Sequence, residues 1–265
     1  MIAPAKAYAN TPKGQIHYMT SGKGAPVLLL HQTPRSSDEF LEVLPLLSKN
    51  FRAIAMDTIG FGNSYKPKKV ITIEDCARGV IDFLDTMNIR QTHLVGHHTG
   101  AVIAIEVAVS HPSRVKRLVL SGCPFVDEEV RKKNRPLMDA DEEKVDGSHL
   151  LSLWRRRKSF YPEDRPDLLR RFMIDALLAG ENRINGHAMV HEYRLEDKYA
   201  RISQPTLLIS GTKDRWSYPV MSKISKLIKN SQTFVIEGGT VPLPDHMPKE
   251  YALAVSSFLS KRLSP

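Results

Sequence analysis

Cysteine is scarce in this chain. Two occur in 265 residues, Cys76 and Cys123. They show no paired spacing, which excludes a disulfide scaffold and a cysteine-ligated metal module. Two buried free thiols are the expectation, and a cytoplasmic location with them. Long hydrophobic runs are missing too. None approaches the roughly 20 residues that span a bilayer, so no membrane partner is expected. The opening residues MIAPAKAYANTPKG hold no apolar stretch of useful length, so a secretory signal is not expected. Internal repeats and low-complexity tracts are absent, which excludes a solenoid. Acidic residues are outnumbered, giving a formal net charge of +9. The excess is scattered, as in Lys66 to Lys69 and Val115 to Arg117. Residues 127–201 are about balanced despite the run WRRRK (Trp154 to Lys158). No basic run interleaves with aromatics and no nucleic-acid motif occurs. A solvated basic surface is therefore expected, and no nucleic-acid partner.

What is present is an alternation. Gln15 to Thr20 alternates like a strand. Val27 to Leu30 is a short, fully apolar run, as in a strand buried on both faces. Asp38 to Leu47 has helical spacing, with Ser36 or Ser37 as cap. Arg52 to Met56 reads as a strand and Ile73 to Met87 as a helix. Thr92 to Val95, Thr99 to Ser110 and Val115 to Leu120 continue as strand, helix, strand. This order predicts an α/β fold, with a mostly parallel central sheet and helices on both faces. The pattern then breaks. Residues 127–201 are charged, contain several prolines and read as helical pieces at Ser148 to Ser159, Pro166 to Ala179 and Asn185 to Tyr193. Strands resume at Thr206 to Ser210 and Thr233 to Ile236, and a helix over Lys249 to Leu263 closes the chain. The expected organisation is a core of residues 1–126 and 202–265, interrupted by a helical insertion at 127–201. An insertion after a central strand would lie over the C-terminal edge of the sheet, where such folds bind ligands.

One stretch carries the chemistry. In LVGHHTGA, Leu94 to Ala101, a strand stops at a glycine and a helix begins after a second glycine. His98 stands at the centre of the turn.

Four segments together resemble the α/β-hydrolase superfamily, in its capped, esterase- and epoxide-hydrolase-like branch. GHHTG has the shape of a nucleophile elbow. VLLLHQTP (Val27 to Pro34) stands where an oxyanion loop would be. MDTIGFGNS (Met56 to Ser64) resembles the turn after the next strand, and SGTKD (Ser210 to Asp214) the turn that carries the acid. The resemblance covers nearly the whole chain and makes residues 127–201 the cap. It implies Asp214 as the catalytic acid and the amides of Thr33 and Thr99 as oxyanion donors. Two positions depart from it. His98 replaces the usual nucleophile. In the loop Glu237 to Tyr251, Val241 holds the usual histidine place, and the only histidine there is His246. A Ser-His-Asp triad is not supported.

The longer imidazole of His98 can fill part of the gap left by the missing histidine and hydrogen-bond Asp214. It can then act as base or as nucleophile, and the base role is preferred. His246 keeps the order centre, acid, histidine, and is a further catalytic candidate. Gln32 can extend into the pocket or brace its loop. His31 and His97 read as packing groups, and Asp57 as the cap of its turn. Trp154, Tyr161, His187, His191 and Tyr193 are expected to line the pocket from the cap. His187 and His191 have a metal-ligand spacing. However, Ala188 stands where the zinc protease pattern needs glutamate, so no metal is expected. No cofactor is expected either.

Three readings stay open at this stage. The first is a cofactor-independent hydrolase of a small, mostly apolar ester- or lactone-like substrate. The second is a lyase, isomerase or cyclase using His98 as a proton-transfer base. The third is a non-catalytic ligand-binding protein. In each the expected partner is a small molecule. The sequence sets no oligomeric state.

Overall fold

The computed structural model describes residues 3–133 and 143–261. The chain opens with strands β1 (Ala5–Thr11), β2 (Gly14–Ser21) and β3 (Pro26–Leu30), then helix α1 (Val43–Leu47). Next come β4 (Arg52–Met56), α2 (Ile73–Thr86), β5 (Thr92–His97), α3 (Thr99–Ser110) and β6 (Val115–Ser121). Four helices follow without a strand among the described residues: α4 (Glu128–Lys133), α5 (Ser148–Lys158), α6 (Pro166–Ala179) and α7 (Asn182–Glu192). The chain then forms β7 (Thr206–Gly211), α8 (Met221–Leu227), β8 (Ser231–Ile236), α9 (Leu243–His246) and α10 (Pro248–Leu259). The strands make one sheet in the order β1-β2-β4-β3-β5-β6-β7-β8. Pairing is antiparallel where β2 meets β1 and β4, and parallel from β4 through to β8.

The parallel strands are apolar throughout because helices cover both faces. Successive side chains divide between two cores, as the pleat requires. Leu28, Leu30, Ile54, Met56, Leu94 and Leu120 pack with α2, α3 and α8. Val27, Leu29, Ala53, Ala55, Val95 and Val119 pack with α1 and α10. Helix α2 begins in a capping box between Thr72 and Asp75 and buries Cys76, Val80 and Phe83. Helix α3 has no polar face: Thr99 to Ala108 are all buried, against β5, β6 and α2. Both cysteines are buried and free. Among the described residues, no helix is long and apolar enough to cross a membrane.

Sequence patterning missed some elements. The β1–β2 hairpin begins before the expected first strand, and α4 and α8 were not anticipated. The helix expected over Asp38 to Leu47 is broken in two. A 3-10 turn at Ser37–Phe40, capped by Ser36, precedes α1. Pro45 lacks the N–H that a continuous helix would donate to Leu41, so the chain re-enters the helix after the break. The expected closing helix ends at Leu259, and its last predicted residue, Leu263, lies outside the described residues.

The chain leaves β3 for β4 on one side and returns to β5 on the other. The loops after β3 and β5 therefore diverge at their C-terminal ends and leave a crevice between them. The candidate functional residues collect there.

Candidate active site

A single residue separates β5 from α3. It is His98, with φ 46° and ψ −110°. A side-chain-bearing residue in such a conformation costs about 1–3 kcal/mol and persists only where its surroundings impose it. Here the His98 amide donates to the Ser121 carbonyl at 2.9 Å, and its carbonyl accepts from Ala101 at 2.9 Å. The flanking glycines are required by close approach. A Cβ on Gly96 would lie 2.2 Å from the Gly100 oxygen, and one on Gly100 would lie 2.1 Å from the Leu30 oxygen. The spacing of GHHTG is thus a packing requirement of the bend.

The bend delivers the His98 ring to Asp214, in the turn after β7. His98 Nε2 lies 2.8 Å from Asp214 Oδ2. The carboxylate also accepts from the amides of Trp216 (3.0 Å) and Ser217 (3.2 Å) and from the Ser217 hydroxyl (2.6 Å). Burial works against the charge of Asp214. The neighbouring His98, the Ser217 hydroxyl and the Trp216 amide outweigh it and hold the carboxyl well below its usual range. An ionised carboxylate only accepts, so His98 Nε2 carries the proton and Nδ1 is the nitrogen left with a lone pair. Acid and imidazole touch directly, with no residue between them.

Val241 contributes in an unexpected way. Its carbonyl accepts from Nε2 of His97 at 2.9 Å, and Nδ1 of His97 meets the Ser121 hydroxyl at 2.9 Å. The ring of His97 stands edge-on to His98, with centroids 4.8 Å apart. Burial pushes His97 down to about 4. It is a neutral packing group that fixes the last loop beneath the elbow.

His246 does not meet the expectation that it reaches the pocket. Pro242 and Pro244 start α9 directly after Val241, and this short helix carries His246 to a half-buried position. There its Nδ1 meets the Thr240 hydroxyl at 3.0 Å. Trp154, Tyr161 and Tyr193 do not line the cavity either, and the Tyr193 hydroxyl donates to Glu106 instead. Tyr161 packs on Phe172, with centroids 5.9 Å apart, and Trp154 joins the same cluster. The inserted helices need an apolar core of their own, and these two rings supply part of it.

The loop after β3 is braced from several sides. His31 Nδ1 donates to the Gln32 carbonyl at 2.8 Å, while its Nε2 accepts from the Thr58 amide at 2.9 Å. Gln32 gives both its backbone amide (2.9 Å) and its side-chain amide (2.6 Å) to the buried Glu39 carboxylate. Asp57 accepts from the amides of Ser37 (2.7 Å) and Asn63 (2.8 Å), which closes the turn of its own loop onto the β3 loop. The Thr33 amide points to the Thr99 hydroxyl at 3.3 Å, directly above the first turn of α3. The fully buried Arg35 pairs with Asp175 of α6 and with Asp245, tying the loop to the inserted helices and to the last loop.

These parts enclose a cavity of about 440 Å³. Gln32, Thr33, His98, Thr99 and Val241 line it from the core, and Arg157, Phe160, His187, Val190 and His191 from the inserted helices. Phe125 and Trp216 also reach it. Arg157 was missed because WRRRK reads as a solvated basic run. It lies four residues after the buried Leu153, on the same helix face, and that spacing was the signal for it. The residue is 7% exposed. Its guanidinium sits 4.8 Å from the Phe172 ring centroid and donates to His187 Nε2 at 3.0 Å. Trp216 was missed too, although it lies only two residues past the acid. Among the described residues, no group of three or more histidine, cysteine or acidic side chains is placed to share a metal ion.

The model of the alpha/beta hydrolase fold family matches residues 25–240, and the chain belongs to that family; its relatives named as hydrolases support a hydrolase. The chain is 27% identical to 2-hydroxy-6-oxo-6-(2'-aminophenyl)hexa-2,4-dienoic acid hydrolase of Metapseudomonas resinovorans, over 98% of this chain and 92% of that protein. Among solved structures, the enol-lactonase of Burkholderia xenovorans superposes with a TM-score of 0.83 at 21% identity, covering 96% of this chain and all of that one. The bromoperoxidase of Bacillus anthracis gives 0.84 at 22% identity, over 97% of this chain and 100% of its own.

Proposed function

We propose that the protein hydrolyses a small, mostly apolar ester- or lactone-like substrate without a cofactor, with His98 as general base supported by Asp214. The observation that carries this reading is the 2.8 Å contact between His98 Nε2 and Asp214 Oδ2 at the core wall of the cavity. It sets Nδ1 as the proton acceptor. Nδ1 takes a proton from a water as the water oxygen bonds to the substrate carbonyl carbon. Charge then develops on the carbonyl oxygen, where the Thr99 amide serves as donor and the Thr33 amide joins it by exchanging the Thr99 hydroxyl for the oxyanion. Collapse of that intermediate breaks the acyl C–O bond, and the imidazolium returns its proton to the departing oxygen. Asp214 stabilises the imidazolium between the two transfers.

Residues 127–201 serve as a cap. Phe160 and Val190 exclude water from above the reacting carbonyl, and Trp216 and Phe125 take the apolar body of the substrate. Two relatives support a carbonyl substrate by their names, a dienoic acid hydrolase and an enol-lactonase. The test is turnover in water enriched in heavy oxygen, with products analysed by mass. Hydrolysis places one labelled oxygen in the acid product. An unlabelled product overturns the reading in favour of proton-transfer chemistry at the same histidine.

A further inference from the structure

The sheet ends on one side with β8, and among the described residues no strand lies beyond it. The ladder to β7 fixes which of its backbone groups face the open edge. The Thr206 amide donates to the Asn230 carbonyl at 2.9 Å, and the Thr212 amide to the Ile236 carbonyl at 3.1 Å. In a parallel ladder, alternate residues of a strand turn both backbone groups toward the same neighbour. Thr206 stands opposite Ser231 and Gly211 opposite Ile236, so Gln232 and Phe234 bond to β7. Ser231, Thr233 and Val235 therefore turn their N–H and C=O groups outward, to the open edge.

Sheet edges are usually blunted by charge, proline or a bulge. None of these protects β8. Its sequence, SQTFVI, holds no charged residue and no proline, and it pairs with β7 without a shift in register. Phe234 and Val235 point to opposite faces of the sheet, yet they are 43% and 41% exposed. The other edge strand, β1, carries Lys6. Charge enters only beyond the ends of β8. Lys229 precedes it, Glu237 follows it, and both are exposed. Glu237 Oε1 accepts from the Thr212 hydroxyl at 3.1 Å, which keeps the carboxylate beside the end of the strand.

We propose that β8 pairs antiparallel with β8 of a second copy of this chain, about a twofold axis at Thr233, so that the sheet continues across a dimer. Charge selects both the occupant and the register. Lys229 and Glu237 lie equally far from Thr233 along the chain. A twofold axis at Thr233 therefore sets Lys229 of each copy opposite Glu237 of the other. The same axis pairs Thr233 with its own counterpart and Ser231 with Val235. These are the residues whose backbone groups face outward, so their hydrogen bonds form without any change in the ladder to β7. The two Phe234 side chains become diagonal neighbours on one face, within reach of each other. Moving the axis by one residue takes Lys229 away from Glu237 and leaves both charges unpaired across the edge.

The test is sedimentation velocity over a range of protein concentration, on wild type, Thr233→Pro, Lys229→Glu, Glu237→Lys and the double charge swap. The Thr233 N–H faces away from β7, so proline there removes a donor between copies and spares the ladder within the chain. Wild type is expected to sediment as a dimer, and Thr233→Pro as a monomer with a denaturation midpoint near that of wild type. Each single reversal sets like charges opposite each other at both ends of the paired edge. It should weaken the dimer about tenfold, and the double swap should restore it. A monomeric wild type overturns the proposal, and so does a dimer that Thr233→Pro leaves intact. A double swap no tighter than the single reversals overturns it as well. Should Thr233→Pro fail to fold, the exposed Lys229 and Glu237 variants decide the matter by themselves.

Discussion

Replacing Asp214 by asparagine keeps the shape of the acid and removes its charge. Four donors meet the native carboxylate: His98 Nε2, the Ser217 hydroxyl and the amides of Trp216 and Ser217. The asparagine oxygen can take the Oδ1 place and keep both amides. Its NH₂ group then faces Ser217 and His98. The serine hydroxyl can rotate and accept, but His98 Nε2 can accept only by giving up its proton. His98 must then carry its hydrogen on Nδ1, the nitrogen that has to act as base. The imidazolium also loses its counter-charge. A positioned general base is worth about 10²–10⁴-fold, so kcat should fall by that order while KM changes little. The assay is steady-state hydrolysis of a short-chain chromogenic ester, with a denaturation curve to verify folding. A well-folded Asp214→Asn retaining activity within about threefold of wild type would refute the reasoning.

Acid should destabilise the protein through His97, which burial pushes down to about 4. Between that value and the usual pKa of about 6.5, the unfolded chain takes up a proton that the folded chain refuses, so stability is full above this window and falls as pH drops through it. The loss attributable to His97 is about 2 kcal/mol between pH 7.5 and pH 5, read from urea denaturation at those two values, and His97→Gln should flatten the dependence. Gly122→Ala should harm both stability and activity. Gly122 has φ +56°, and an added Cβ would lie 2.6 Å from Nε2 of His98. A destabilisation of about 1 kcal/mol or more is expected from the backbone alone. The displaced imidazole should lower kcat as well, and an alanine variant with native kcat and midpoint contradicts this geometry.

Much of the core was legible because its strands are buried on both faces. Runs such as Val27 to Leu30 and Thr206 to Ser210 have few readings other than central parallel strands. The elbow was legible for a different reason: glycines two residues on either side of His98 are required by backbone contacts that any such bend makes. The direct approach of His98 to Asp214 also followed from the sequence, since an imidazole spans more of the gap than a hydroxyl does. What was not legible depended on long-range packing. His246 is separated from the pocket by two prolines that start a short helix, and its sequence position did not show which way that helix would turn. Trp154 and Tyr161 looked like pocket residues by type, yet the inserted helices use them for their own core. Arg157 looked solvated by composition, and only its helical phase relative to Leu153 marked it as inward. His97 read correctly as a packing group, but its bond to the Val241 carbonyl joins positions 144 apart in the chain.

The central claim is that His98 is the working base. Its most direct test is the pH dependence of ester hydrolysis, from mildly acid to mildly alkaline, by wild type and His98→Ala. The account predicts wild-type activity that rises with pH through a single ionisation, and a loss of about 10²–10⁴-fold in His98→Ala with that pH dependence gone. A His98→Ala protein that keeps wild-type activity and the wild-type pH profile contradicts it.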